Sequence, residues 1–214
     1  MKKVFAFISA VALFAVAATA QNATFEGFLQ QFPKASLPYT LGEQDLRSHL
    51  EARAAKTPVA KTNRLAWEYY SFLPSLEAEA AQNRMPVHPE PVALLETSEY
   101  YAVVFNTGRS FTRQYKTYQI AVFTKDGILM STRTIAGVNP TSLAAATVDA
   151  NLDVTVKEYS VNWANDYATF GIEGNTLTGI QATNTYTFSA LNALTENSTW
   201  NNTARNEKTA VAAK

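Results

Sequence analysis

Ile180-Gln181-Ala182-Thr183-Asn184-Thr185-Tyr186-Thr187-Phe188-Ser189 alternates between two chemistries. Gln181, Thr183, Thr185, Thr187 and Ser189 are polar, whereas Ile180, Ala182, Tyr186 and Phe188 are apolar. Side chains on a strand point alternately to opposite faces, so the run predicts a strand with one wet and one dry face. Antiparallel sheets with one side on a core have this pattern. Tyr118, Ile120 and Val122 repeat it ahead of Thr124-Lys125-Asp126-Gly127, a tight-turn sequence, with Ile128–Ala136 predicted to return. A second hairpin is predicted from Leu143–Val148 to Val154–Trp163 through Asp149–Asp153, and a third from Ala168–Ile172 to Leu177–Thr183 through Glu173-Gly174-Asn175. A further strand is expected near Tyr101–Phe105. Along Val154, Val156, Tyr159, Val161 and Trp163 the apolar phase slips at Lys157-Glu158, which predicts a β-bulge.

Upstream the composition changes. Residues 21–100 hold seven of the eight prolines, and residues 101–214 hold 19 threonines. Proline breaks regular elements and β-branched threonine favours strands. The first half therefore reads as short helices and loops. Thr40-Leu41-Gly42-Glu43 has the spacing of a capping box. Leu46, Leu50 and Ala54 then give one apolar stripe to about Lys56. Leu65, Tyr69, Phe72 and Leu76 predict a helix over Arg64–Leu73 and a second over Ser75–Asn83, divided by Pro74. Met85–Pro91 reads as an extended strap. The expected organisation is a leader at 1–20, an arm with short helices at 21–91, a β domain at 92–200 and a flexible tail at 201–214. The expected fold class is α+β, mainly β: short N-terminal helices packed on an antiparallel β-meander, either an open sheet or barrel-like.

The leader is read from Lys2-Lys3, the apolar run Val4–Ala17 and the small residues Ala18-Thr19-Ala20. These are the parts of a secretory signal peptide. A helix over that run would reach about 21 Å, short of the roughly 30 Å hydrocarbon core. Cleavage after Ala20 leaves 16 basic against 18 acidic groups and no later apolar run long enough to span a membrane. The chain has no cysteine, which excludes disulfides, thiolate-bound zinc, a cysteine nucleophile and a lipoprotein anchor. Its 18 basic and 18 acidic groups lack the basic excess that a nucleic-acid partner requires. Export without cysteine fits a bacterial envelope or an extracellular setting.

Few residues offer chemistry. The two histidines are His49, within the first long predicted helix, and His88, in the strap. No Gly-x-Ser-x-Gly elbow and no His-Glu-x-x-His occurs. Gly108-Arg109-Ser110-Phe111-Thr112-Arg113-Gln114-Tyr115-Lys116 interleaves cations with rings between two strands. Arginine forks hold carboxylates or phosphates and rings stack, so Arg109, Phe111, Arg113 and Tyr115 are binding candidates. A solvated hairpin tip would have the same composition. Trp67 and Tyr70 are candidates on the flank of a helix whose Tyr69 and Phe72 face the core. Asp149, Asn151 and Asp153 have the opening spacing of a calcium loop. Val154 stands where such loops need glycine and Ser160 where they need glutamate, so the turn reading is preferred and Ca2+ is the one cofactor considered.

Phe28-Leu29-Gln30-Gln31-Phe32-Pro33-Lys34-Ala35-Ser36-Leu37-Pro38-Tyr39 resembles a motif, F-L-x-x-F-P-x-x-x-L-P-Y, of uncharacterised exported proteins of Gram-negative bacteria. Those proteins also carry stretches similar to Tyr100–Phe105 and Phe123–Gly127. The resemblance implies an envelope location and transfers no activity. Phe28, Phe32, Leu37 and Tyr39 read as anchors that tie the arm onto the sheet. The expected function is an exported, non-enzymatic module that binds a glycan, a peptide or another envelope protein. The alternatives are an exported hydrolase acting on glycan or peptide, and a structural or assembly component that uses an uncovered sheet edge or the apolar N-terminal arm.

Overall fold

The computed structural model describes residues 23–57, 63–74, 76, 89–107 and 116–192. Its elements run in the order α1 (Phe25–Leu29), β1 (Tyr39–Leu41), α2 (Glu43–Ala54), a 3-10 helix (Trp67–Phe72), β2 (Glu90–Glu96), β3 (Tyr100–Asn106), β4 (Lys116–Thr124), β5 (Leu129–Val138), β6 (Ser142–Val148), β7 (Asp153–Trp163), α3 (Tyr167–Phe170) and β8 (Leu177–Ser189). Strands β2 to β8 form one antiparallel meander in sequence order, and β1 pairs with β6. The sheet is open, because the end strands β2 and β8 do not pair with each other. The predicted α+β class with short helices on a meander is the observed one, in its open form.

The sheet curls. One core takes Ala93 and Leu95 of β2, Ala102 and Val104 of β3, Ile120 and Val122 of β4, Ile135 of β5, Ala144, Ala146 and Val148 of β6, and Val154 and Val156 of β7. A single face can gather these only if it is concave. The outer face of β2–β4 packs Val103, Phe105, Ala121 and Phe123 against Phe28, Leu29 and Phe32 from the N-terminal arm and Leu65 and Leu73 around the 3-10 helix. The outer face around β6 and β7 packs Val138, Leu143, Ala145 and Val161 against Leu46 and Leu50 of α2.

β5 and β6 pair only at Gly137–Ala144 and Val138–Leu143, then diverge. β1 takes the edge of β6 left uncovered, pairing Tyr39 with Val148 and Leu41 with Ala146. Just before it, Lys34 forms a parallel bridge to Leu94 of β2. The arm thus joins two parts of the sheet, with Phe28 and Phe32 buried on the outer face and Leu37 and Tyr39 packed on the concave core.

Several expectations are corrected. Thr40 does not cap α2. It lies in β1, where its hydroxyl pairs with that of Thr147 at 3.1 Å, and the helix begins after Gly42, which provides no side-chain cap. The pairing of Tyr39 and Leu41 with β6 holds Thr40 in the strand, where its hydroxyl meets that of Thr147 instead of capping the helix. The expected helix over Arg64–Leu73 is shorter and wound as a 3-10 helix, Trp67–Phe72. The expected helix over Ser75–Asn83 lies almost wholly outside the described residues. β2 begins at Glu90, within the last two residues of the stretch read as an extended strap, and its register shifts between Pro91 and Ala93. Proline at a strand's first residues costs little of the ladder.

The third hairpin does not form. β7 pairs directly with β8, and Ala168–Ile172 belongs to an excursion containing α3. Asp166 caps that turn by accepting the Thr169 N–H at 3.1 Å, and the Asn175 side chain donates to the carbonyls of Asn165 at 2.9 Å and Gly171 at 3.1 Å. The expected extra residue in β7 is absent; a bulge lies beside that position, between Glu158 and Tyr159 in the β7–β8 pairing, and its extra residue is on β8. There the partners step from Asn184 to Ala182, so Thr183 is the extra residue. β7 runs unshifted along β6. Its apolar residues change faces because Val154 and Val156 serve the concave core, whereas Val161 serves the cluster under α2. On β8 the predicted polar set from Gln181 to Thr187 is exposed and Tyr186 and Phe188 are half-buried, but Ala182, next to the bulge, is exposed.

Candidate functional site

At one end of the concave face the core gives way to polar groups. Asn106 ends β3, Lys116 begins β4 and Glu90 begins β2, and the ladder places Asn106 opposite both Glu90 and Tyr118. Asn106, only 2% exposed, donates its Nδ2 to Glu90 Oε2 at 3.0 Å. Lys116 Nζ lies 3.6 Å from the same carboxylate oxygen. Both ion-pair partners are about three-quarters shielded, with side-chain exposures of 20% for Lys116 and 27% for Glu90, so solvent screens the pair less than a surface bridge.

Tyr118 packs on two cores beside this pair. Burial raises its phenol pKa above the ordinary value, and the charges of Glu90, Tyr39 and Asp45 raise it further. The Tyr39 phenol is raised as well, first by burial and then by Asp45. Both rings therefore remain protonated hydrogen-bond donors at neutral pH. The cluster gathers one cation, two carboxylates and two phenols at the foot of the β3–β4 connection. Thr107 closes that connection by donating its N–H to the Thr117 carbonyl at 2.9 Å.

Arg109, Phe111, Arg113 and Tyr115, the ligand candidates of the sequence, lie outside the described residues. The stem that carries them, Thr107 and Lys116, is described and adjoins this cluster. The sequence drew attention to the connection and missed Glu90 and Asn106. Each is the polar terminal residue of an apolar strand, Glu90 opening β2 and Asn106 closing β3, and a polar residue at a strand end carries no signal of its own.

Trp67 and Tyr70 share the 3-10 helix but not an environment. Trp67 is 80% exposed, whereas Tyr70 packs against the outer core with Tyr69 and Phe72. Burial raises the Tyr70 pKa, opposed by Arg64. The expectation that both would lie on the flank is corrected for Tyr70. In a 3-10 helix residues three apart are eclipsed, so Trp67 and Tyr70 lie on one side of it, and the difference between them is position along the helix: Trp67 is its first residue and Tyr70 sits one turn further in, between Tyr69 and Phe72.

Asp149 serves its turn. Its Oδ1 accepts the N–H groups of Asn151 at 2.8 Å and Asp153 at 2.9 Å. Among the described residues no group of three His, Cys, Asp or Glu side chains is placed to hold a metal ion. His49 is half-buried on α2 and has interaction partners; His88 lies outside the described residues. An open surface depression elsewhere is lined by Tyr167, Phe170, Gly171, Ile172 and Glu173, with Phe170 65% exposed. Among the described residues no helix is long and apolar enough to cross a membrane.

Comparison with protein-family models, with curated proteins and with solved structures gives no match for this chain.

Proposed function

We propose that the protein is exported to the bacterial envelope or beyond it and acts there as a non-enzymatic binding module. Its partner on this reading is a glycan or peptide bearing carboxylates, captured by the β3–β4 connection. The observation that carries the reading is the polar foot of that connection: Glu90, Asn106 and Lys116 held together beside Tyr118. A buried polar cluster costs stability unless its members are paired, and here the paired members hold together the two strand ends that the sequence segment containing Arg109 and Arg113 joins. Arginine forks then supply paired donors for carboxylates, and Phe111 and Tyr115 supply stacking faces. Export is supported by the three-part pattern of residues 1–20 and by the resemblance of Phe28–Tyr39 to exported proteins.

A thermal-shift screen against peptidoglycan fragments, acidic sugars, neutral sugars and peptides tests the proposal. An acidic fragment is expected to raise the melting temperature of the protein and not of the Arg109→Ala/Arg113→Ala variant. Turnover in a chromogenic hydrolase panel that disappears with His49→Ala or His88→Ala would replace binding with catalysis.

A further inference from the structure

β8 is the longest strand, 13 residues, and it ends the sheet. From Leu177 to Ser189 it contains no Lys, Arg, Asp, Glu or Pro. Edge strands of monomeric proteins are normally kept short, or carry charge or proline, because their free N–H and C=O groups recruit other strands. The opposite end strand obeys that rule. β2 has its outer edge covered by the arm, with Ala35 donating to the Leu94 carbonyl at 2.9 Å and Leu94 donating to Pro33 at 2.8 Å. Among the described residues no segment pairs with the outer edge of β8. Gln181 to Thr185 are exposed on both faces.

The ladder shows which backbone groups face outward. Ala190 donates its N–H to Leu152 at 2.9 Å, so it turns towards β7. In an antiparallel pair alternate residues do this. Phe188, Tyr186 and Asn184 therefore bond to β7, and Ser189, Thr187 and Thr185 face outward. The Ser189 carbonyl already accepts from Arg133 at 3.3 Å, and the Thr185 N–H is held locally by Asn184 Oδ1 at 2.9 Å, a contact that a partner carbonyl has to displace; Thr185 and Thr187 are the outward pair on this side of the bulge.

We propose that the outer edge of β8 is a homodimer seam, in which Thr185 pairs with Thr187 of a second copy, and Thr187 with its Thr185, about a two-fold axis at Tyr186. A two-fold contact sets the same patch against itself. An uncharged strand meets no like charge when it does so. The register also continues a row the chain already builds, in which Thr40, Thr147, Thr155 and Thr187 stand opposite one another on successive strands. Thr40 and Thr147 pair hydroxyls at 3.1 Å, and Thr155 and Thr187 at 3.0 Å. The copy's Thr185 is the next member of that row. Residues 193–214, the other candidate cover, carry Glu196, Arg205, Glu207, Lys208 and Lys214 and match the uncharged edge less well. The seam is independent of the proposed ligand site.

Strand-edge contacts bury less than a standard interface, so the dimer is expected at high micromolar concentration. Light scattering across a concentration series of the purified full chain is the first test. Thr185→Pro removes an outward N–H and leaves the β7 ladder intact. Its dimer should weaken at least about tenfold, with its circular dichroism unchanged. Tyr186→Cys introduces one thiol on the axis of a cysteine-free chain and should give a disulfide-linked dimer on oxidation, unlike Lys157→Cys on the neighbouring strand. A chain that stays monomeric throughout the series overturns the seam. Equal cross-linking of both cysteine variants does so as well. Dimerisation that requires deletion of residues 193–214 assigns the edge to the chain's own end and also overturns it.

Discussion

Ala35 and Leu94 are hydrogen-bonded backbone to backbone at 2.9 Å, which ties the N-terminal arm to β2 through a single parallel bridge. A few residues later the same arm pairs with β6 as β1. It spans the place where β5 and β6 part, and it brings Phe28 and Phe32 into the outer core on the way.

The arm is therefore structural. Phe28 is fully buried, with ring centroids of Phe32 at 5.2 Å, Phe72 at 5.0 Å and Phe123 at 5.7 Å. Phe28→Ala should cost about 3–5 kcal/mol in chemical denaturation. Deleting residues 21–40 should lower the melting temperature by more than that single change does.

Gly127 ties the β4–β5 turn to the same arm. Its φ of 83° suits glycine, and a Cβ there would meet Phe25 Cγ at 2.8 Å. Gly127→Ala should destabilise by about 1–3 kcal/mol, through both backbone strain and displacement of the Phe25 ring. Equilibrium unfolding in urea measures it.

Asp149 holds two backbone N–H groups of the β6–β7 turn. Asp149→Ala should cost about 1–2 kcal/mol by leaving them without that acceptor. Adding Ca2+ or EDTA should leave the wild-type melting temperature unchanged. A calcium-dependent rise that vanishes in Asp149→Ala would show that the turn binds metal.

Tyr118 sets an alkaline limit. Burial raises its pKa from the ordinary 10.0, so the native state holds the phenolic proton more tightly than the unfolded chain does. That contribution is complete below about pH 10 and is lost as the pH rises further, because the unfolded chain ionises first. The denaturation midpoint should fall between about pH 8 and about pH 11, and Tyr118→Phe should fall less steeply.

What was legible in the sequence was whatever rests on local period. The two hairpins around Asp126-Gly127 and Asp149–Asp153 and the α2 stripe of Leu46 and Leu50 follow from neighbouring residues alone. What was not legible depends on long-range competition. Thr40 has both the spacing of a cap and the chemistry of a strand, and only the exposed edge of β6 selects the second. β2 was hidden by Pro89 and Pro91. The failed third hairpin had a readable alternative, with Asp166 as a helix cap and Gly171, at φ 73°, as its stop. For the site, Arg109–Tyr115 announced itself by composition, whereas Glu90 and Asn106 acquire meaning only when β2 and β3 pair.

Backbone amide NMR during titration with an acidic peptidoglycan fragment addresses the proposed function directly. The proposal predicts that shifts concentrate at Thr107, Lys116, Thr117 and Tyr118 and are lost in Arg109→Ala/Arg113→Ala. Shifts centred instead on Tyr167–Glu173, or none at saturating fragment, would contradict it.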